Sequence, residues 1–245
     1  MEKEKDVLTI ENGVVADCDK STVNVVIPEG VTEIGALAFQ ECESLKSVEI
    51  PSSVKKIGWH TFYGCKSLEG VVIPDSVTEL ITGAFAKCTS LKSVLIGSGV
   101  TELCWGAFDS CTSLESVNIP EGVTKIWKQV FSECTSLKSV KIPSTVKEIG
   151  DGAFEECTSL ESVVIPDGVE CIDCAVFSGC TSLKSVVIGS GVTEIEENAF
   201  HDCTSLCEIE FRGTLSEWEN VKGRQHLLFD VPATSVKCSD GEVEI

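Results

Sequence analysis

Hydrophobic residues recur along this chain every 23 residues, through eight copies that contain no insertion or deletion. Within one copy, Leu45–Ile50 alternates between apolar and polar residues, which predicts a short strand. Pro51 then ends the strand, because proline has no N–H to give to a strand ladder. Val54–Ile57 predicts a second short strand, and the spacing of Phe62 and Cys65 predicts a single tight helical turn. A fixed period of about 20–50 residues is the signature of a solenoid.

Three columns of identical residues define the period. A single copy buries about eight side chains and cannot fold alone, so stacked copies must share these columns. We predict a repeat solenoid, a right-handed coil with two parallel sheets of short strands and a stack of short helical turns between them. The columns are Phe39, Phe62, Phe85, Phe108, Phe131, Phe154, Phe177 and Phe200; the cysteines three residues after each, from Cys42 to Cys203; and the leucines from Leu45 to Leu206.

The two ends of the array depart from the repeat pattern. The open ends of a solenoid need covers, and residues 1–26 lack the Phe–Cys turn, so we predict an N-terminal cap there. The solenoid is predicted over residues 27–210. Residues 211–245, with Trp218 and Val221, are predicted to form a C-terminal cap.

Composition narrows the classes of function. The net charge of −20 argues against nucleic acid and anionic membrane surfaces as partners, since both would repel the chain. No run of about 18 apolar residues exists, so we predict no membrane insertion. The first residues lack the apolar segment of a secretory signal, which fits either a protein that stays inside the cell or one whose signal was replaced by Met1. We expect a monomer.

The cysteines and histidines do not suggest catalysis. We predict that the eight cysteines of the repeat column are buried free thiols, because stacked side chains at strand spacing are too far apart for relaxed disulfides. A disulfide between Cys207 and Cys238 stays open as an alternative. The three histidines lie in different parts of the array, and Cys171 and Cys174 form an isolated C-x-x-C pair without the context of a zinc or redox motif. We therefore predict a non-enzymatic protein with no cofactor and no metal site.

The repeat string LxxVxIPxxVxxIxxxAFxxCxSL is similar to that of the BspA-type leucine-rich repeat family. The resemblance runs from Ile27 to about Glu210 and extends to cap motifs at Gly213-Thr214, Glu217-Trp218 and Cys238–Ile245. It implies a leucine-rich-repeat coil with a binding role, because members of the family serve as adhesins or host-interaction proteins on the surfaces of mucosal bacteria and some parasitic protists. It implies a secreted or cell-surface location and brings no catalytic residues. The chain departs from the family in showing no secretion signal.

Comparing the repeats with each other reveals one variable segment. The three positions before each Ala-Phe pair differ from copy to copy, while most of the unit is nearly constant. These positions should face solvent, and three of the four tryptophans fall in them. Tryptophan and tyrosine are enriched in binding hot spots, so we predict that this edge binds a protein or glycoprotein. The predicted binding residues are Trp59, His60, Tyr63, Trp105, Trp127, Lys128 and Gln129.

Several alternatives remain at the level of sequence. Exposed loop positions also drift when nothing constrains them, and the tryptophans could cover neighbouring turns. A structural spacer without a ligand of its own is the alternative function. Gapless copies this alike would also fit a designed or altered repeat scaffold. A second candidate surface is the apolar stripe formed by outward residues of the first strand, in the column Val26, Glu49, Val72, Leu95, Asn118, Lys141, Val164, Val187 and Glu210.

Overall fold

The structure is a computed structural model of the 245-residue chain, and it describes residues 7–228 and 231–245. The chain begins with an antiparallel hairpin of β1 (Leu8–Glu11) and β2 (Val14–Cys18). Strand β2 also pairs in parallel with the second strand of the first repeat. The hairpin therefore covers the first coil and continues directly into its sheet.

Each repeat then contributes two short strands, as the alternating pattern predicts. Prolines and glycines separate the two strands, and the Phe–Cys segment separates one repeat from the next. The strands are β3 (Asn24–Val26), β4 (Glu33–Ile34), β5 (Ser47–Glu49), β6 (Lys56–Ile57), β7 (Gly70–Ile73), β8 (Glu79–Leu80), β9 (Ser93–Ile96), β10 (Glu102–Leu103), β11 (Ser116–Asn118), β12 (Lys125–Ile126), β13 (Ser139–Lys141), β14 (Glu148–Ile149), β15 (Ser162–Val164), β16 (Cys171–Ile172), β17 (Ser185–Ile188) and β18 (Glu194–Ile195).

Strands pair in parallel with the equivalent strand one repeat away. The register is one full period, so that Val94 lies between Val71 and Val117. The odd-numbered strands from β7 to β17 lie in one long parallel sheet, and the even-numbered strands from β4 to β18 form shorter parallel sheets. The predicted leucine-rich-repeat coil is thereby confirmed. The domain boundaries at residues 26 and 210 stay a prediction.

The Phe–Cys segment differs from the predicted helical turn. It consists of consecutive turns, with bonds such as Cys65 N–H to the carbonyl of Phe62 at 3.1 Å. Two positions per repeat adopt the left-handed conformation, represented by His60 (φ 50°) and Gly64 (φ 70°). A right-handed helix cannot continue through such residues. Their N–H groups instead donate to the next repeat, as from His60 to the carbonyl of Thr82 at 3.1 Å.

The core is a continuous stack of phenylalanine rings beside a ladder of thiols. The eight rings from Phe39 to Phe200 are fully buried, and the centroids of successive rings lie 4.8–5.6 Å apart. Each thiol from Cys65 to Cys203 donates to the carbonyl of the phenylalanine in the preceding repeat, at 3.1–3.3 Å. All 14 cysteines are free, which confirms the predicted thiol ladder. The sequence did not reveal that these thiols are hydrogen-bond donors.

The other end of the coil is covered by a short helix and a hairpin. Strand β19 (Glu208–Phe211) leads into α1 (Leu215–Glu219), where Thr214 and Glu217 form a capping box. Trp218 packs against Phe211 and is buried. A 3₁₀ helix (Arg224–Leu228) and the hairpin of β20 (Ser235–Cys238) and β21 (Gly241–Glu244) follow, and β20 pairs with β19.

The alternative of a disulfide between Cys207 and Cys238 is wrong. The exposed Cys207 thiol donates to the carbonyl of Lys184 at 3.6 Å, whereas Cys238 is buried in the terminal hairpin. Cys207 precedes β19 and faces solvent, whereas the side chain of Cys238, at the end of β20, faces the core.

Candidate functional site

The variable segment forms one edge of the coil, held in line by backbone hydrogen bonds. In repeats one to seven, a backbone N–H bonds to a carbonyl of the next repeat. The donor is the residue two before the phenylalanine, and the acceptor is the residue three before the next phenylalanine. Examples are Leu37 to Trp59 at 3.0 Å, Gly83 to Trp105 at 2.8 Å and Gly106 to Lys128 at 3.0 Å. The accepting positions form what we term the edge column: Ala36, Trp59, Thr82, Trp105, Lys128, Asp151, Cys174 and Glu197.

In the second repeat, three of the predicted binding residues stack on one another. The ring of His60 lies between those of Trp59 and Tyr63, with centroid distances of 4.2 and 4.9 Å. The ammonium of Lys87 lies over Tyr63, 5.4 Å from its centroid. Burial lowers the pKa of His60, so the imidazole is uncharged at neutral pH. Trp59 ends the stack with 46% of its surface exposed.

Trp105 occupies the edge column two repeats further along and is 55% exposed. Its Nε1–H donates to Oε1 of Gln129 in the next repeat, at 3.1 Å. Gln129 has a φ of 55° at a position where Gly106 and Gly152 supply the same conformation in the neighbouring repeats. The hydrogen bond from Nε1 to Gln129 orients the indole of Trp105, and much of the apolar surface of the ring stays exposed to solvent.

Trp127 lies one position earlier in its repeat and is 39% exposed. Its Nε1–H donates to Oε2 of Glu102 at 2.8 Å, and the ammonium of Lys125 lies over its ring at 3.8 Å from the centroid. The side chains of Lys125 and Trp127 are neighbours because residues two apart in extended backbone share a face. Sequence analysis missed Lys125 and Glu102. The period-two rule could have found Lys125, and the 23-residue register, which pairs Glu102 with Lys125, could have found Glu102.

The two remaining predicted residues line a shallow depression next to Trp105. Lys128 is exposed and forms an ion pair with Asp151, which raises the pKa of Lys128. The depression encloses about 290 Å³. It is lined by Lys128, Gln129, Asp151, Gly152, Glu155, Cys174 and Ala175.

We use the term aromatic edge for Trp59, His60, Tyr63, Trp105, Trp127, Lys128 and Gln129. The structure places all seven on one side of the coil in repeats two to five. It groups them as a ring stack around His60, the Trp105–Gln129 pair and the Trp127 cluster. Their role in binding stays a prediction.

Carboxylates crowd the part of the edge that follows Trp105. Burial raises the pKa of Asp109, and the charges of Glu133 and Glu155 raise it further. Burial also raises the pKa of Asp173, with a further contribution from Asp151. Carboxylates that raise one another's pKa lie in a negative potential, which favours cations at this surface.

One group of residues has the composition of a metal site. Cys171, Glu194 and Glu196 each place a ligand atom within 4.8 Å of the others. Metal binding needs the thiolate form of cysteine, but burial raises the pKa of Cys171 to about 12, with a further contribution from Asp173. Acidic side chains this close together are common without an ion, so the grouping by itself does not establish a metal site.

The second candidate surface is the sheet-face stripe, formed by Val26, Val72, Leu95 and Val164. All four side chains are exposed. A shallow depression of about 500 Å³ lies around Gly70, where most repeats have serine, and Val72 and Leu95 line it. The stripe is interrupted by Glu49, Asn118 and Lys141. Within the described residues, no helix is long and apolar enough to cross a membrane.

The sequence matches the family model described as BspA type leucine rich repeat region, in six copies over residues 8–138 and 101–221. No curated protein matches the chain. The chain is similar to three solved structures at 26–32% identity.

The first of these is a leucine-rich cell surface protein from Faecalibacterium prausnitzii, with 32% identity and a TM-score of 0.56. The match covers 82% of this chain and 62% of that protein, so the chain spans less than two thirds of its length. The leucine-rich repeat protein of T. pallidum has 29% identity and a TM-score of 0.58, with 89% of both chains covered. A leucine-rich repeat protein from Bacteroides ovatus has 26% identity and a TM-score of 0.55, with 79% of this chain and 70% of that chain covered.

Proposed function

This chain belongs to the BspA-type leucine-rich repeat family, and from that premise we propose that it is a non-enzymatic module that binds a protein or glycoprotein through its aromatic edge. The family fold is a repeat scaffold found in bacterial surface proteins. None of the three similar structures described above is named as an enzyme. The F. prausnitzii relative is described as a cell surface protein. We therefore propose an adhesin-like interaction at a cell surface.

One observation carries the proposal: three tryptophans are exposed on the same edge of the coil. Trp59, Trp105 and Trp127 expose 46%, 55% and 39% of their surfaces. Exposed tryptophans of this kind are the usual centres of binding hot spots. Their hydrogen bonds and ring contacts hold them in place before a ligand arrives, which reduces the entropy lost on binding. An interface of about 800 Å² per partner fits on eight repeats.

The test is binding of the chain to a panel of extracellular and cell-surface proteins, beside a variant with Trp59, Trp105 and Trp127 changed to serine. Each substitution affects a half-exposed side chain, so the variant should fold. We expect a partner that binds the native chain and loses at least about tenfold in affinity with the variant. Circular dichroism and thermal unfolding verify that the coil is intact.

A matched control changes Val72, Leu95 and Val164 to serine on the sheet-face stripe. This control removes a similar number of exposed apolar side chains from another surface. If only the control variant loses the partner, the binding site is the stripe and the proposed edge is wrong. If the panel gives no partner for the native chain, a structural spacer is favoured.

A further inference from the structure

The coil is strongly negative in repeats six to eight, directly after the aromatic edge. In repeats three to eight, the segments that run from four residues before each phenylalanine to two residues after it contain two lysines, Lys87 and Lys128. Lys128 already forms an ion pair with Asp151. They contain nine carboxylates: Asp109, Glu133, Asp151, Glu155, Glu156, Asp173, Glu196, Glu197 and Asp202.

An aromatic surface beside unneutralised carboxylates fits a guanidinium better than other groups. The planar face of arginine stacks on indole, and its N–H groups bind carboxylates in pairs. The chain itself shows a related arrangement, where the ammonium of Lys125 lies over the Trp127 ring and forms an ion pair with Glu148. Trp105 has no such internal cation in the contacts of the described residues, and Glu133 and Glu155 lie in the repeats that follow it.

The spacing of the edge fits an extended peptide that runs along the stacking direction. Trp59 and Trp105 are two repeats apart in the edge column, which is about 10 Å at strand spacing. In an extended polyproline II segment, residues three apart lie on the same side of the chain and are separated by about 9 Å. An arginine at every third position would therefore meet Trp59, Trp105 and the carboxylates beyond in sequence.

We propose that the aromatic edge binds an extended, arginine-rich segment of a partner protein, with guanidinium groups stacked on Trp59 and Trp105 and paired with Glu133, Glu155 and Asp173. The inference rests on the proposed function of the same edge and names the chemistry of its partner. Anionic glycans and acidic proteins are excluded as occupants of this surface by repulsion from the same carboxylates.

The experiment uses the full chain and a fluorescein-labelled peptide Arg-Gly-Ser-Arg-Gly-Ser-Arg, with binding followed by fluorescence anisotropy. The peptide with lysine in place of each arginine is the comparison. We expect the arginine peptide to bind several-fold more tightly than the lysine peptide, because lysine cannot stack as a plane. Added salt should weaken the binding of both peptides.

Two variants locate the site. Trp59→Ser with Trp105→Ser, and separately Glu133→Gln with Glu155→Gln and Asp173→Asn, should each weaken binding of the arginine peptide by about tenfold. The matched control is Glu49→Gln with Glu208→Gln and Glu210→Gln, which removes the same charge from exposed positions on the sheet face. Binding to the control variant should stay within about twofold of the native value.

The proposal is overturned if the arginine peptide does not bind, or if the control variant loses as much affinity as the edge variants, since the attraction is then general. The proposal is also overturned if the two peptides bind with equal affinity and the tryptophan substitutions leave both affinities unchanged. A panel protein that needs the tryptophans and is not displaced by the arginine peptide would leave the proposed function standing while this inference fails.

Discussion

The imidazole of His60 covers Gly83 of the next repeat so closely that a Cβ atom on Gly83 would lie 2.2 Å from Cδ2 of the ring. The same ring is stacked between Trp59 and Tyr63. The missing side chain of Gly83 is therefore what makes room for the ring stack at the start of the aromatic edge.

Gly83→Ala should displace His60 and disrupt the stack. Gly106→Ala is the matched control, because Gly106 has a similar φ (58° against 64°) but its added Cβ would meet only Asp109 at an ordinary 3.6 Å. We expect Gly83→Ala to cost about 1 kcal/mol more in the free energy of unfolding than Gly106→Ala, since aromatic pairs of this kind contribute about that much. Urea unfolding measures the difference, and tryptophan fluorescence reports the environment of Trp59. Equal costs for the two variants would show that the stack contributes nothing.

The sequence was sufficient to predict the coil because the period-two and 23-residue patterns are set by burial. Phe108 and Cys111 recur at fixed positions because each must fit the same site in the core, between the copies before and after it. Burial acts on every repeat in the same way, so comparing the repeats reveals it directly.

The aromatic edge could be placed from the sequence but its geometry could not. The position two residues before each phenylalanine has a left-handed backbone. Half of the repeats have a residue type that tolerates this conformation: Gly83, Gly106, Gly152 and Asn198. The other half do not, so the sequence alone does not indicate the conformation: Leu37, His60, Gln129 and Ala175. The direction of each following side chain depends on that backbone turn, so the stacking of Trp59 on His60 was beyond sequence reasoning.

The energetic effect of the left-handed position can be tested with two substitutions that should change the free energy of unfolding in opposite directions. A residue with a Cβ atom costs about 1–2 kcal/mol in this conformation relative to glycine, partly offset by the entropy of glycine in the unfolded chain. We expect Gly106→Ala to lower the free energy of unfolding by about 1 kcal/mol. Ala175→Gly, at a φ of 55°, should raise it by a similar amount. Shifts of the same sign in urea unfolding would contradict the conformational explanation.

The phenylalanine stack predicts a large effect from one core substitution. The Phe108 ring lies between Phe85 and Phe131, with both centroid distances at 5.6 Å, and it is fully buried. Phe108→Ala should cost about 3–5 kcal/mol and separate the unfolding of the two halves of the array. Calorimetry would detect the split, and Trp105→Ser, on the surface of the same repeat, is the control. Unchanged melting of the Phe108 variant would mean that the stack does not hold the coil together.

The thiol ladder predicts that the protein loses stability in alkaline solution. Burial raises the pKa of the six ladder thiols from Cys88 to Cys203, and the value for Cys203 is about 12. In the unfolded chain the same thiols ionise near pH 8.5. The folded state therefore binds more protons between these values. Stability is fully present below about pH 8.5 and falls as the pH rises toward 12, by about 1.4 kcal/mol per pH unit for each thiol.

Urea midpoints at pH 8 and pH 10.5 measure this loss. The comparison is with a variant carrying Cys111→Ala and Cys134→Ala, which removes two of the titrating groups and leaves the lysines and the tyrosine in place. We expect the variant to start less stable at pH 8 and to lose less stability on the way to pH 10.5, by about 1.4 kcal/mol per pH unit for each thiol removed. Parallel losses in the two proteins would mean that the thiols ionise equally in the folded and unfolded states. Such a result would contradict their burial against the phenylalanine carbonyls.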